Sequence, residues 1–419
     1  MSTHHVTIQQ FKNIYHLACA IFACIVYGFP GKHIPVIGIT GTDGKTTTTS
    51  LIVHILKHAG KKVSYITTVG AEIAGSTHDT GFHTTTPSPF SIQRYLALSL
   101  RAHDDYFVLE TTSHALDQYR VYGIDFIVSG ITNITHEHLH YHLTYDRYVK
   151  AKAKILSHAK KGYINADDQS YEPLRKIISD QPAIQSYGYK NKPDISVDIE
   201  SFIGKPLPRF NTYNYLLAYV ICRHLKIEEQ TIIDAMKTFV PPEGRLDVVY
   251  SGDFSVIVDF AHTPNALHEA LPAIRSQLKE GGRLIHLFGA AAFRDDAKRP
   301  LMGRESGEHA DLTIVTEEDY RTEDPNEIAK HIASGLKAEG FSFSDPSQFG
   351  SEVKKYTIIH DRKQATEKAL SIAQKGDIIV LTGKGHERSL CRGKIEYPWN
   401  DGDAVRELIS QNPQLSKHS

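Results

Sequence analysis

The 419-residue sequence has only four cysteines, three methionines and one tryptophan. Cys19, Cys24, Cys222 and Cys391 form no C-x-x-C spacing, which excludes a cysteine zinc site and a dithiol redox motif. So few thiols fit a reduced, cytoplasmic compartment. An excess of positive charge is also missing: 47 Lys plus Arg stand against 48 Asp plus Glu, a net charge of -1. Nothing therefore advertises nucleic acid as a partner. No apolar run reaches the roughly 20 residues of a membrane span. The stretch LACAIFACIVY, Leu17 to Tyr27, is preceded by little positive charge and followed by no A-x-A site, against a secretory signal. It reads as a helix packed on the body of the protein, with an interfacial anchor as the alternative.

What is present is ordinary for a globular chain, with 41% hydrophobic and 23% charged residues. At roughly 150 residues per domain, this length predicts two or three domains. The 24 histidines scatter through helical and loop-like segments, and most read as surface residues without a role. From Pro35 onward, β-branched runs alternate with helical patterns, the mark of a mostly parallel sheet. VIGIT (Val36 to Thr40), YFVLE (Tyr106 to Glu110) and FIVSGIT (Phe126 to Thr132) are predicted strands; Thr46 to His58 and Tyr145 to His158 are predicted helices. The pattern breaks at VPPEGR, Val240 to Arg245. A second α/β series follows through SVIVDF, RLIHLFG, LTIV and DIIVLTG. The predicted architecture is an apolar helical segment (1–33), a central α/β domain with a mostly parallel sheet (34–243) and a Rossmann-like α/β domain (244–419).

GITGTDGKTTTT, Gly38 to Thr49, follows the VIGIT strand and leads into a helix. Backbone N–H groups and the helix N-terminus cradle phosphate oxygens, Lys45 adds a point charge, and the Thr46 hydroxyl reaches a magnesium ion. The loop departs from G-x-x-x-x-G-K-[ST] by having Ile39 at the first glycine position. ATP binding is the strongest single inference, with Gly41, Thr42, Asp43, Gly44, Lys45, Thr46 and Thr47 as its contacts.

The G-T-D-G-K-T-T-T loop resembles that of the Mur ligases, ATP-dependent enzymes that build the peptide of the bacterial cell wall, with Asp43 in place of their usual asparagine. The resemblance continues in family order through TTP, LETTSHAL, ITNITHEHLHYH, FNTYN, the Gly244-Arg245 pair, VDFAHTPNAL, KRPLMG and GKGHE. SHAL and GKGHE are most similar to the branch that adds the third amino acid. The implied reaction activates a carboxylate as an acyl phosphate, and an amine then attacks it to give an amide, ADP and phosphate. The resemblance implies two Mg2+ ions with Thr46, Glu110 and His138 as ligands, and carbamylation of Lys152. It assigns Asn211 and Asn214 to adenine, Asp259 to ribose and Arg245 to the phosphates, and places His262 near the same cleft. Arg321, Asp319, Gly383 and Glu387 fall where the family binds the incoming amino acid. Arg321 favours diaminopimelate over lysine, because a guanidinium grips a distal carboxylate through two parallel hydrogen bonds.

Two features depart from the family pattern. Its glycine-rich F-G-C-G-G-D-R-D reads Phe288 to Asp295, FGAAAFRD, which predicts altered product or amino-acid handling. Only 34 residues precede Pro35, too few for an independent core, so a preceding UDP-binding domain is not expected. Residues 1–33 are expected to dock a membrane surface or a protein partner, which allows membrane association of a cytoplasmic enzyme. The acceptor is a muramoyl-peptide-like carboxylate; the alternatives are a Mur-like ligase acting on a non-UDP acceptor, pseudomurein-type or other, and a non-catalytic ATP-binding partner. His136-Glu137-His138-Leu139-His140 satisfies H-E-x-x-H, a zinc-protease pattern that requires one helix to present both histidines. It occupies the family's magnesium segment and reads as a decoy.

Overall fold

The computed structural model describes residues 2–78, 85–135, 137, 139–179, 181, 183–293 and 295–412. It divides into two compact units, Met1–Val240 and Pro241–Ser419.

The first unit holds strands β1 (Val36–Thr40), β2 (Val63–Thr67), β3 (Gly70–Ile73), β4 (Ser76–His78), β5 (Tyr106–Glu110), β6 (Phe126–Ile131), β7 (Gly162–Asn165) and β8 (Ile184–Tyr187). Its helices are α1 (Ser2–Tyr27), α2 (Lys45–His58), α3 (Pro89–Arg101), α4 (Ser113–Asp117), α5 (Leu139–His142), α6 (Tyr145–Ser157), α7 (Tyr171–Ile177), α8 (Ile199–Ile203), α9 (Arg209–His224) and α10 (Glu229–Thr238). The strand order is β4-β3-β2-β5-β1-β6-β7-β8. β1 lies between β5 and β6 and is parallel to both, while β3 and β4 add an antiparallel edge. All five residues of β1 are buried, as in a sheet covered on both faces. Side chains alternate between those faces. Ile37 and Ile39 enter the core with Leu51, Ile55, Leu217 and Ile221 of α2 and α9. Val36 joins Phe107, Leu109, Leu96 and Ile155 on the side of α3 and α6.

The expected packed helix is longer than its apolar run, since α1 begins at Ser2. Its small residues Ala20, Ala23 and Cys24 are buried, and Phe22 meets Phe90 of α3 edge-on. Ile14, Tyr15, Phe22, Ile25 and Val26 remain exposed along its outer face. Among the described residues, no helix is long and apolar enough to cross a membrane.

The second unit holds β9 (Asp247–Ser251), β10 (Ser255–Asp259), β11 (Leu284–Phe288), β12 (Leu312–Val315), β13 (Ser342–Phe343), β14 (Lys355–Ile358) and β15 (Ile378–Thr382). A separate hairpin pairs β16 (Ser389–Arg392) with β17 (Ile395–Pro398). Its helices are α11 (Pro264–Arg275), α12 (Lys298–His309), α13 (Pro325–Ala338), α14 (Arg362–Ile372) and α15 (Asp401–Gln411). The main sheet runs β13-β14-β12-β11-β15-β10-β9, parallel except for β9. Both units are therefore α/β with a largely parallel sheet, whose ligand crevice lies beyond the carboxyl ends of the strands.

α12 and α13 cross through reciprocal glycines. A Cβ on Gly335 would sit 1.9 Å from the Pro300 carbonyl oxygen, and one on Gly303 2.1 Å from that of Ile332. Backbone cannot yield as a side-chain tip does, so Gly335→Ala should destabilise the second unit by about 1–3 kcal/mol. The check is a lower denaturation midpoint with an unchanged slope; an unmoved midpoint contradicts this account of the crossing.

Candidate active site

In the first unit, the loop between β1 and α2 reaches the helix at Gly44, whose φ of 78° is left-handed and whose position provides no side-chain cap. The first N–H groups of α2 are thus left to the loop and to an anion. A Cβ at Gly44 would lie 2.2 Å from Asn214 Oδ1, so glycine is required there for space as well as for conformation. The loop is braced from β6: Thr42 N donates to the Asn133 carbonyl oxygen (2.8 Å), and Thr132 Oγ1 donates to that of Asp43 (2.6 Å). Lys45 Nζ folds back to donate to the Thr42 carbonyl oxygen at 2.6 Å.

Glu110 ends β5, is fully buried, and accepts three hydrogen bonds: Thr46 Oγ1 (3.0 Å), Thr68 N (2.8 Å) and Thr68 Oγ1 (2.8 Å). This carboxylate-and-hydroxyl cluster is an all-oxygen donor set, which suits a hard cation such as Mg2+. Thr68 was not anticipated from sequence. Its signal is positional, since it directly follows β2, the strand hydrogen-bonded beside β5.

Lys152 lies on α6, which begins where Thr144 Oγ1 accepts from Arg147 N. Its neighbours Lys150 and Lys154 differ in setting, since Lys150 is exposed and Lys154 pairs with Asp117 at 2.9 Å. Lys152 is 1% exposed, and its Nζ donates to the Gly41 carbonyl oxygen at 2.5 Å. Burial first, then the nearby Lys45 charge, lowers its pKa well below the ordinary lysine range. Tyr148, unforeseen from sequence, lies under that ammonium group, 4.8 Å from its ring centroid, and shares a 3.1 Å hydrogen bond with Thr42 Oγ1.

Asn211 and Asn214 are buried on α9 and joined by a 3.1 Å hydrogen bond, and Asn214 Oδ1 accepts from Thr48 Oγ1 at 3.4 Å. Gly41, Thr42 and Thr47 are buried in or beside the loop, whereas Asp43 is partly exposed. His138 lies outside the described residues. α5 starts at Leu139, so Glu137 of the H-E-x-x-H pattern precedes the helix, and His136 also lies outside the described residues.

The second unit gathers its expected residues beyond β10, β12 and β15. Asp259 Oδ2 accepts from Leu246 N (2.7 Å) and Oδ1 from Ala261 N (2.8 Å). Burial pushes its carboxyl above the usual range, against the pull of Arg245 and of these donors. Arg245 stacks over Phe260 at 4.5 Å, and the His262 ring lies 4.6 Å from the same ring. Lys298 Nζ donates to the His262 carbonyl oxygen at 2.9 Å.

Lys384 organises the other cluster and was missed, although it sits inside GKGHE. Fully buried, it pairs with Asp319 Oδ1 at 2.9 Å and with Glu387. Burial alone would lower its pKa, but Glu387 and Asp319 outweigh it and raise the value above the lysine range. Asp319 Oδ1 also accepts from Cys391 N (2.9 Å). Gly383 lies against Glu318, where a Cβ would meet Oε2 at 3.0 Å. Arg321 has a left-handed backbone (φ 48°), held by its N–H to the Cys391 carbonyl oxygen (3.2 Å) and by Gly393 N to its own (2.7 Å). Arg294 of the altered FGAAAFRD segment lies outside the described residues.

Residues 39–222 match the family described as Mur ligase middle domain, and residues 244–385 match Mur ligase, glutamate ligase domain. A UDP-N-acetylmuramoyl-L-alanyl-D-glutamate--2,6-diaminopimelate ligase of Aquifex aeolicus is 36% identical over 93% of this chain and 80% of its own length. A relative of the same description from Clostridium acetobutylicum is 32% identical over 94% of this chain and 82% of its own. A solved structure of a ligase of that description aligns at a TM-score of 0.58 and 26% identity, covering 92% of this chain and 79% of the other. A folylpolyglutamate synthase/dihydrofolate synthase from Yersinia pestis, 17% identical, shares the fold at a TM-score of 0.65, covering 90% of this chain and 88% of its own. With the loop, the buried carboxylate and the two α/β units already described, these matches show that the chain belongs to the Mur ligase family of ATP-dependent, ADP-forming ligases.

Proposed function

We propose that this chain joins diaminopimelate to the terminal carboxylate of a muramoyl-dipeptide acceptor in cell-wall peptide synthesis. The observation that carries the reading is the convergence of the Lys45 loop, the Thr46-Thr68-Glu110 oxygen set and the buried Lys152 at the carboxyl ends of β1, β2 and β5. In the first unit the α2 N-terminus and Lys45 are assigned to the ATP phosphates, and Asn211 and Asn214 to its base; in the second unit the family match assigns Asp259 to ribose and Arg245 to phosphate. His262 lies beside these last two and orients the same region. Thr46, Glu110 and His138 would hold the two Mg2+ ions, which when bound would neutralise charge on the phosphates and the acceptor. The acceptor carboxylate takes the γ-phosphoryl group to form an acyl phosphate. The amine of the amino acid then displaces phosphate and forms the amide.

Burial lowers the pKa of Lys152 and so favours the neutral amine that carbamylation requires. The amine nitrogen bonds to the carbon of CO2 and loses a proton, which replaces a latent cation by an anion. Lys152→Ala should abolish ligation while ATP affinity stays within a few-fold, because Lys45 and the loop amides remain. Near wild-type turnover of that variant overturns the assignment.

The residues that the family match assigns to the incoming amino acid favour diaminopimelate by charge count. Lys384 neutralises one of the two carboxylates of Asp319 and Glu387, which leaves one net negative charge for a distal ammonium. Arg321 supplies one positive charge for a distal carboxylate. Diaminopimelate ends in both groups; lysine ends in the ammonium alone and leaves Arg321 uncompensated. Loss of a charge-assisted fork is worth about 1.5–3 kcal/mol, so Arg321→Ala should lower the diaminopimelate-to-lysine ratio of kcat/KM by roughly tenfold or more. A wild-type preference for lysine, or an unchanged ratio in the variant, would sink the proposal.

The exposed apolar stripe of α1 supports docking of residues 1–33 on a protein surface. With one lysine and no arginine between Ser2 and Tyr27, the helix lacks the basic face that binds anionic lipid. Flotation of the chain with anionic vesicles would reverse that choice.

A further inference from the structure

The second unit carries a group of metal-ligating side chains away from the residues discussed above. His268 on α11 and Glu305 and His309 on α12 bring their donor atoms within 4.8 Å of one another. His268 Nδ1 is 3.0 Å from Glu305 Oε2, and His309 Nε2 is 3.8 Å from the same oxygen. In a tetrahedral site with bonds near 2.0–2.1 Å, ligand atoms lie roughly 3.3 Å apart, so these two separations bracket what a shared ion requires. A hydrogen bond alone accounts for His268 with Glu305, but not for the third member. His309 Nε2 is a buried atom with no hydrogen-bond partner, and it is turned toward that carboxylate. A ring nitrogen in that position lacks a cation or a proton acceptor, and Glu305 is too distant to serve as the acceptor.

We infer that His268, Glu305 and His309 form a binding site for a first-row divalent metal ion, of which Zn2+ is the type, joining α11 to α12. Two imidazoles and a carboxylate suit Zn2+ and its neighbours better than Mg2+, which takes oxygen donors. Three protein ligands leave a fourth position for water, and the His268 side chain is 57% exposed. His309 is also the last residue of α12, where the helix end carries partial negative charge and favours a cation. The ion would fix the helix that follows His262 to the helix that carries Lys298, and so act on stability rather than on the reacting groups.

The test uses the full chain in millimolar Mg2+, so that oxygen-donor sites are filled, and titrates it with Zn2+ and, as a visible probe, Co2+. Wild type should bind one more equivalent than His268→Ala/His309→Ala, and Zn2+ should raise the melting temperature of wild type alone. The double variant should keep its ligase activity, since neither histidine belongs to the proposed machinery. Glu305→Gln preserves shape and should weaken the site by about tenfold or more; it decides the matter if the double variant fails to fold. Equal stoichiometry and an equal thermal response to Zn2+ in wild type and variants would overturn the site.

Discussion

A carboxylate with no access to water must be surrounded by donors, because an uncompensated buried charge costs several kcal/mol. Glu110 imposes that condition on the first unit. Its three donors come from the first turn of α2 and from the residue after β2, so two connections must finish beside the end of β5. The sheet register arranges this: Ile39 pairs with Glu110 on one side, and Ile66 with Leu109 on the other. The length of the glycine loop then decides whether Thr46 reaches the carboxylate. Gly44 is the residue that allows the loop to close against Asn214.

The second unit meets the same condition with a cation. Lys384 is enclosed by Asp319 and Glu387, and the backbone on either side is held by another buried guanidinium. Arg362 forms a two-pronged pair with Asp401, both bonds at 2.8 Å. Its remaining N–H groups donate to the carbonyl oxygens of Glu317 (3.1 Å) and Thr382 (2.9 Å). These are the residues immediately before Glu318 and Gly383. The ion pair at Arg362 thus sets the spacing between the two segments that Lys384 then links.

Strands buried on both faces were legible in the sequence, because such strands read as continuous apolar runs. VIGIT and YFVLE coincide with β1 and β5 residue for residue. The short β3 and β4 went unread, since a hairpin edge of four and three residues, the first buried on one face and the second mostly exposed, leaves no such run. The polar beginning of α1 was invisible for a related reason: only its apolar second half stands out. At the site, residues inside a compact motif were legible, as in the loop from Gly41 to Thr47. Thr68 and Tyr148 were not, because strand adjacency and helix packing bring them to the loop from distant positions. Lys384 stood in a recognised motif, yet its role depends on Asp319, 65 residues away.

Burial also determines which charges the first unit presents to a nucleotide. Lys152 is driven toward its neutral amine and Tyr148 is kept as a phenol, in both cases chiefly by desolvation. The charged groups acting on Lys152 are then one cation, Lys45, and three carboxylates, Asp43, Glu110 and Glu137. A triphosphate entering such a group meets net repulsion from the side chains, opposed by the amides of α2. Divalent cations would reverse that balance, and the oxygen donors of Thr46 and Glu110 are of the kind that hard cations take. A carbamate on Lys152 would add one more negative charge and strengthen the same requirement. The carboxylates around the loop therefore suit a nucleotide that arrives with metal ions, and the lowered pKa of Lys152 adds to that requirement.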